Sequence, residues 1–423
     1  MVQPLNLSSI WYEATAKRGA LDELPDGRSF DVCVIGGGLA GLTTALELAK
    51  TGRSVLLLEA HLIGSGASGR NGGFVSSGFA LGYSDLVRKL GREDARALYG
   101  LSQRGTEYMR GTIATHQPDI KMGDGWMVAL RHNPRGMEEY AETMRHELGE
   151  PVSFLPPEVL REKLVSARYH GALHNPSAFH IHPLRYVLLL AALARRAGAM
   201  IVENCAASRI EKQGAGFAIH TPRGTVSAQH VVHCVSSLGR SLNNPVHKAV
   251  LPVATYIAVT EPLVQDAIRT HAAIADTRRA GDYYRLIDEG RILWGGRITT
   301  RVSEPSRLAE RMKGDMLSVY PQLGNPRIDY AWAGLMGYAV HKMPIIGRGA
   351  DGQWHATAFG GHGLNTTAMA GILLARAIAD GDEEYRRFKP FGPAFTFGPL
   401  GRVGVQASYW WMQVRDKYDE SRA

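Results

Sequence analysis

The first clear pattern along the chain is a short apolar run of strand length, Phe30-Asp31-Val32-Cys33-Val34-Ile35, ending in Gly36-Gly37-Gly38. It passes into Leu39 to Lys50, whose leucines and alanines recur at helical spacing. Gly52 stops that helix, and Ser54 to Leu58 is a second β-rich run closed by Glu59. Strand, glycine turn, helix, strand and acid make one complete βαβ unit. Leu81 to Leu148 reads as mostly helical, with no second glycine fingerprint. His182-Pro183 opens a helix that runs to Arg196 and is ended by Gly198. Strand-like runs follow at Met200–Glu203, Phe217–His220 and His230–Val235. Val250–Glu261, Asp282–Asp288 and Arg291–Arg297 then alternate in the manner of an antiparallel sheet. Finally His355–Phe359 reads as a strand, Gly360-Gly361-His362-Gly363 as a turn, and Leu364–Ala379 as a helix.

A βαβ unit near the start and a strand–turn–helix near the end imply an interrupted domain with a second, sheet domain inserted between its parts. The expected partition is an N-terminal arm over 1–29, centred on Ile10-Trp11-Tyr12. A cofactor-binding domain is expected from 30–80, 151–240 and 340–390, and a substrate domain from 81–150 and 241–339. A docked C-terminal segment, with Trp410-Trp411, takes 391–423.

Composition narrows the class. A length of 423 residues suits two or three domains, and 45% hydrophobic residues support a large core. The longest apolar stretch, Val187 to Ala194, is too short to span a bilayer, and Met1-Val2-Gln3-Pro4 does not open a signal peptide. Three cysteines, Cys33, Cys205 and Cys234, stand at no metal spacing; they argue for buried thiols, no metal, and a cytoplasmic setting. The net charge of +8 is spread along the chain with no basic run of five, which argues against nucleic acid. A basic field that steers an anionic small substrate is the alternative, beside a merely solvated surface.

Gly36-x-Gly38-x-x-Gly41, with Leu39 and Ala40 between, is the dinucleotide fingerprint. Its glycines allow the tight turn, the approach of pyrophosphate to the backbone, and close helix–strand packing. The helix N-terminus then offers free N–H groups to the phosphates. Glu59, 18 residues after Gly41, is placed to accept ribose hydroxyls. After it comes Ala60-His61-Leu62-Ile63 and then Gly64 to Gly73, with five glycines and two serines in ten residues. Such a backbone is suited to lie against something flat or charged.

At this point the sequence resembles the D-amino-acid-oxidase-like superfamily of FAD-dependent oxidoreductases, which includes glycine and sarcosine oxidases. The likeness rests on Gly64-Ser65-Gly66-Ala67-Ser68-Gly69-Arg70-Asn71-Gly72-Gly73. His182-Pro183-x-x-Tyr186, Trp332-x-Gly334, Met343-Pro344-x-x-Gly347 and Gly360-Gly361-His362-Gly363 follow in the family's order. Within the superfamily it is most similar to the γ-glutamylputrescine oxidase and L-pipecolate oxidase branch. The resemblance implies an α/β fold: a GR-type Rossmann-like FAD-binding domain, interrupted by an antiparallel-sheet substrate domain.

By the same resemblance Gly36, Gly38 and Gly41 hold pyrophosphate, Glu59 the ribose, and Ala60 and His61 the adenine edge. Gly66, Ala67, Ser68, Gly69, Arg70, Asn71, Gly72 and Gly73 run along the isoalloxazine, and Ala207 gives a backbone contact to adenine. Gly360, Gly361, Gly363, Leu364 and Asn365 aim a helix N-terminus at flavin N1 and the C2 carbonyl. His362 is a catalytic candidate or a structural histidine. Asn365 stands near the place of a lysine that binds the substrate carboxylate in sarcosine-type oxidases, which makes it a substrate-binding candidate and a departure from the family. Gly334-Leu335-Met336-Gly337-Tyr338 lacks the cysteine that links flavin in those enzymes, so FAD is expected to be non-covalent.

On the substrate side, Tyr283-Tyr284-Arg285 and Gly295-Gly296-Arg297 are expected to line a pocket. Tyr284 is the catalytic and substrate candidate there, with Arg285 as a fork for an anion. His341-Lys342 could also lie near the flavin. The expected reaction is oxidation of a C–N bond in a small primary or secondary amine. Hydride goes to flavin N5, water hydrolyses the imine, and O2 reoxidises the flavin to peroxide. A dehydrogenase with another acceptor, and a flavoprotein that modifies a macromolecule such as tRNA, are the alternatives. Polyamine conjugates, cyclic imino acids, N-methyl amino acids and aminophosphonates all suit a basic pocket.

Overall fold

Ser29–Ile35 lies at the centre of a parallel sheet, between Val55–Leu58 on one side and Gly224–His233 on the other. The computed structural model describes residues 8–19, 22–132, 135–242, 245–279 and 281–421; parts of the expected arm (1–7, 20–21) and the last two residues of the tail lie outside these. Met200–Val202 extends the sheet beyond Val55–Leu58, and Trp354–Thr357 extends it beyond Gly224–His233, both in parallel. Ile345–Arg348 closes that edge antiparallel. A parallel sheet must be covered on both faces. Accordingly Val32, Val34, Val55 and Leu57 are buried, packed under helices Leu39–Lys50, Pro183–Arg196 and Gly363–Asp380.

The second sheet runs, in spatial order, Ile328–Tyr338, Leu251–Thr260, Ile292–Thr299, Tyr283–Leu286, Ala273–Asp276, Lys121–Ala129, Ala172–Ile181 and Phe74–Val75, with Ser153–Leu155 beside Ala172–Ile181. It is antiparallel except where Ala273–Asp276 runs parallel to Lys121–Ala129. Its strands come from more of the chain than the expected partition allowed. Lys121–Ala129 lies within the stretch read as mostly helical. Ser153–Leu155, Ala172–Ile181 and Phe74–Val75 were assigned to the cofactor domain by position, yet pair into this sheet. An apolar run of strand length reveals a strand but not which sheet it joins, because pairing is a long-range choice.

The two faces of this sheet differ. On the outer face Tyr256, Ala258, Tyr284 and Trp294 pack with Tyr320 and the helix Leu308–Val319. On the inner face Ile257, Val259, Leu293 and Trp332 pack with Ile10, Trp11 and Tyr12 of the arm. Thus the arm is wedged where the second sheet meets the glycine loop after Glu59. The tail forms a 23-residue helix, Gly398–Glu420. Among the described residues no helix is long and apolar enough to cross a membrane.

Candidate functional site

The fingerprint glycines are required by contact as well as by pattern. Gly36 has φ 110°, and a Cβ there would sit 2.7 Å from the carbonyl oxygen of Cys234. A Cβ on Gly41 would lie only 2.0 Å from the oxygen of Gly36, so helix and strand pack backbone to backbone. The first turn of Leu39–Lys50 carries no acidic residue, leaving its N-terminus open to an anion. Ser68 reaches this end, its Oγ accepting from the Leu39 N–H at 3.0 Å.

Glu59 is held at the end of its strand by two backbone donors, the N–H of Gly37 at 2.7 Å and of His61 at 2.8 Å. Burial pushes its carboxyl above the usual range, and these two donors only partly offset that. Ala60 and His61 are exposed beside it. Ala207 is buried just past Cys205, whose N–H donates to the Glu59 carbonyl at 2.9 Å.

The loop from Gly64 to Gly73 is fastened from several sides. Asn71 Nδ2 donates to the carbonyls of Ala67 and Ser68 at 3.0 and 2.9 Å, and its Oδ1 accepts from the Gly73 N–H at 2.8 Å. Tyr12 Oη donates to the Asn71 carbonyl at 2.9 Å, and Trp332 Nε1 to that of Arg70 at 3.0 Å. A Cβ on Gly72 would meet the ring of Tyr283 at 2.8 Å; one on Gly73 would meet the Ile181 carbonyl at 2.2 Å and Arg285 Nη2 at 2.8 Å. Arg70 is buried, with Nε and Nη2 lacking any partner among the described residues. Gly66 and Ala67 remain half-buried and Gly69 is buried.

The second glycine turn is tied through His362 to the segment that follows this loop. Gly360 takes φ 62° and its N–H donates to the Gly337 carbonyl at 2.9 Å. A Cβ on Gly361 would lie 2.7 Å from Tyr338 Oη. Gly363, Leu364 and Asn365 then open a helix with no acid in its first turn. His362 Nε2 lies 3.1 and 3.2 Å from the carbonyl oxygens of Ser76 and Ser77, so that nitrogen carries the proton. Desolvation holds the ring below the ordinary imidazole pKa, hence neutral. As a donor to two carbonyls, His362 joins the segment after the loop to the helix N-terminus. The side chain of Asn365, expected at the substrate, is buried away from it: Nδ2 donates to Gly78 and Ser102 carbonyls at 3.2 and 3.4 Å. Only its backbone N–H belongs to the helix end.

Tyr284 and Arg285 were both expected in one pocket, which strand geometry forbids. Consecutive residues point to opposite faces. Tyr284 is on the outer face, stacked on Trp294 at 4.3 Å, with its hydroxyl bonded to those of Tyr169 and Tyr320 at 2.9 and 2.7 Å. It lies on the side away from the glycine loop. Tyr283, on the inner face, is the tyrosine that meets Gly72, and no sequence signal separated it from its neighbour except alternation.

Arg285 shares that inner face but is fully buried. Nη1 approaches His180 Nδ1 at 2.6 Å and Met122 Sδ at 3.3 Å; Nη2 donates to Tyr12 Oη at 3.1 Å and the Ile181 carbonyl at 2.8 Å. All four Nη protons are thus engaged; Nε alone lacks a partner among the described residues, so no two-pronged fork is left for a substrate anion. His180 Nε2 donates to the His271 carbonyl at 2.7 Å, which leaves Nδ1 as the acceptor. Burial and the adjacent guanidinium lower the His180 pKa to about 3. The result is a chain from His271 through His180, Arg285 and Tyr12 to the Asn71 carbonyl. Tyr12 and His180 were missed because each lies far in sequence from the loop it supports. Arg297 is turned to Asp315, and His341 to the Gly392 carbonyl, so neither reaches the loop.

An open helix end, a half-buried acid beside it, a loop in which a Cβ on Gly64, Gly69, Gly72 or Gly73 would clash, and orphaned Arg70 donors fit a dinucleotide with a flat ring. These features define a two-sheet, dinucleotide-binding flavoprotein. The family model "FAD dependent oxidoreductase" matches residues 31–377, and the chain belongs to that family, with FAD as its cofactor. It is 31% identical over 406 residues to the gamma-glutamylputrescine oxidoreductase of Escherichia coli (strain K12), across 94% of both chains. It is 25% identical to the glycine oxidase of Bacillus subtilis (strain 168), across 83% of this chain and 91% of that enzyme. The crystal structure of glycine oxidase from Geobacillus kaustophilus superposes with a TM-score of 0.72, covering 87% of this chain and 99% of that one at 20% identity. That last likeness concerns the fold.

Proposed function

We propose that this enzyme oxidises the C–N bond of a small primary or secondary amine or amino acid and passes the electrons to oxygen. The observation that carries the reading is the tie made by His362 between the Ser76–Ser77 segment, just after the Gly64–Gly73 loop, and the open N-terminus of Gly363–Asp380. The relatives named above, an oxidoreductase of an amine conjugate and a glycine oxidase, supply the substrate class. FAD, when bound, supplies the two-electron acceptor for a hydride leaving the carbon next to nitrogen.

The chain's own residues do the rest. Leu39–Lys50 and Gly363–Asp380 present N-terminal N–H groups to the negatively charged parts of the cofactor. Glu59 accepts from ribose, and Arg70 offers its two free donors to an anionic or carbonyl group of the cofactor. Tyr283 and Tyr338 stand over Gly72 and Gly361 and form walls of the site. His362, neutral and donating to Ser76 and Ser77, positions the helix end. FAD is held without a covalent link: Cys33 and Cys205 are buried in the core under the first sheet, and Cys234 packs at its end, none on Ile328–Tyr338.

The test is peroxide release by the purified, flavin-loaded protein over a panel of small amines and amino acids. Peroxide with at least one such compound is expected. Turnover that needs a quinone dye and yields no peroxide would replace oxygen with another acceptor.

A further inference from the structure

The C-terminal helix Gly398–Glu420 is docked the wrong way round for an ordinary surface helix. Its polar face is turned inward. Arg402 Nη2 donates to the Thr300 carbonyl at 2.7 Å, and Gln406 Oε1 accepts from the Thr300 N–H at 2.9 Å. Asp416 accepts from Arg279 at 2.7 Å, and Glu420 receives Arg131 at 3.0 Å. Asp416 is the one residue of the helix that is buried. The apolar face is turned outward instead: Leu400, Val403, Trp410, Trp411, Val414 and Tyr418 are between 55% and 79% exposed.

Those positions stand 3, 7, 1, 3 and 4 residues apart, which at 3.6 residues per turn keeps them in a single stripe along the helix. Phe395 and Phe397, also exposed, continue it at the N-terminal end. Aromatic side chains carry roughly 150–250 Å² each. At just over half exposure, the eight side chains present on the order of 800 Å² of apolar surface, beyond the ~300–600 Å² of the largest patch on a typical monomer. About 800 Å² per partner is what a standard stable interface buries.

The order of side chains along the stripe says what covers it. In an antiparallel pair of identical helices related by a two-fold axis at Tyr409, facing residues have numbers that are mirrored about that position. Trp411 then faces Ala407, Val414 faces Gly404, Val403 faces Arg415, and Tyr418 faces Leu400. Two of these four pairings set a larger side chain over a small one, and Val403 meets the aliphatic stem of Arg415, so the stripe closes on a copy of itself. A lipid surface would favour a basic rim, but the exposed bases of the described helix are only Arg415 and Lys417. We propose that this face is a two-fold interface with a second copy of the chain, made by antiparallel pairing of the two C-terminal helices.

The experiment is sedimentation equilibrium on the flavin-loaded, full-length protein, with flavin content and melting temperature as controls for folding. The wild type is expected as a dimer at micromolar concentration. Trp411→Ala and Ala407→Trp are each expected to weaken dimerisation at least tenfold while flavin content and rate per chain stay unchanged. The combined Trp411→Ala, Ala407→Trp variant exchanges the large and small partners across the axis and is expected to recover the dimer. A monomeric wild type, or a dimer unaffected by either single change, overturns the proposal. So does cosedimentation of a monomeric wild type with phosphatidylglycerol–phosphatidylcholine vesicles, which assigns the face to lipid. A double variant no better than the singles overturns the antiparallel register.

Discussion

The glycine loop at 64–73 and the strand Tyr283–Leu286 touch one another, yet sequence and structure relate differently in the two. In the loop, the residues that shape the site are neighbours in the chain: Asn71 bonds Ala67, Ser68 and Gly73, all within four residues. In the strand, the site-facing residues alternate with core residues, and their partners come from Tyr12, Met122, His180 and Ile181. Local backbone chemistry leaves a motif. Long-range support leaves only alternation. The same difference separates the fates expected of the two regions on mutation.

The largest effect belongs to the loop's neighbour, the fingerprint. Gly41→Ala places a Cβ against the Gly36 carbonyl, where the two nearest obstructing atoms are backbone. The cost should exceed the ~1–3 kcal/mol of ordinary overpacking, and the purified protein should carry no flavin. Retention of full flavin absorbance by that variant would break the account of the fingerprint.

Next is the strand. Arg285→Met leaves Tyr12 Oη, the Ile181 carbonyl and His180 Nδ1 without their donor, at roughly 1–3 kcal/mol for each acceptor left buried and unpaired. Melting temperature should fall, and KM should change equally for a substrate with an anionic group and an analogue without one. A loss confined to the anionic substrate would restore Arg285 as its contact. Glu59→Gln should weaken FAD by about 1.5–3 kcal/mol for a lost charge-assisted bond, read by titrating apo-protein with FAD. An unchanged affinity would mean that Glu59 serves only Gly37 and His61.

The most gradual effect is spread over pH. Burial depresses His180 and His182 to about 3 and His355 to about 4. Each stays neutral in the folded chain while its unfolded counterpart takes up a proton below ~6.5. Stability is therefore complete above that pH and declines as pH falls toward 4, by up to about 1.4 kcal/mol per histidine per pH unit. His355→Gln should make the fall in melting temperature between pH 6.5 and 5 shallower; an equally steep fall would assign acid sensitivity to other groups.

These contrasts explain what the sequence made legible. The βαβ unit, both glycine turns and the cofactor could be read from contiguous residues, because each needs a particular backbone at a particular spacing. The second sheet was visible only in its hairpin-like part: Lys121–Ala129, with Gly123 and Gly125 inside it, does not keep an alternating pattern. For Asn365, a first-turn residue offers both a backbone N–H and a side chain, and here the side chain is spent on the Gly78 and Ser102 carbonyls. Tyr284 was preferred to Tyr283 because a dipeptide does not show which face is the inner one. The tail helix turns its polar residues to the body and its apolar ones outward, an orientation that its apolar spacing alone does not disclose.

The most direct test of the proposed reaction is anaerobic mixing of the flavin-loaded enzyme with a small amine that releases peroxide in air. The flavin absorption band should bleach at a rate no slower than turnover, and return when oxygen is admitted, with one peroxide formed for each amine oxidised. A band that no amine or amino acid bleaches, in a protein that binds FAD at full occupancy, would contradict the assignment of C–N oxidation to this site.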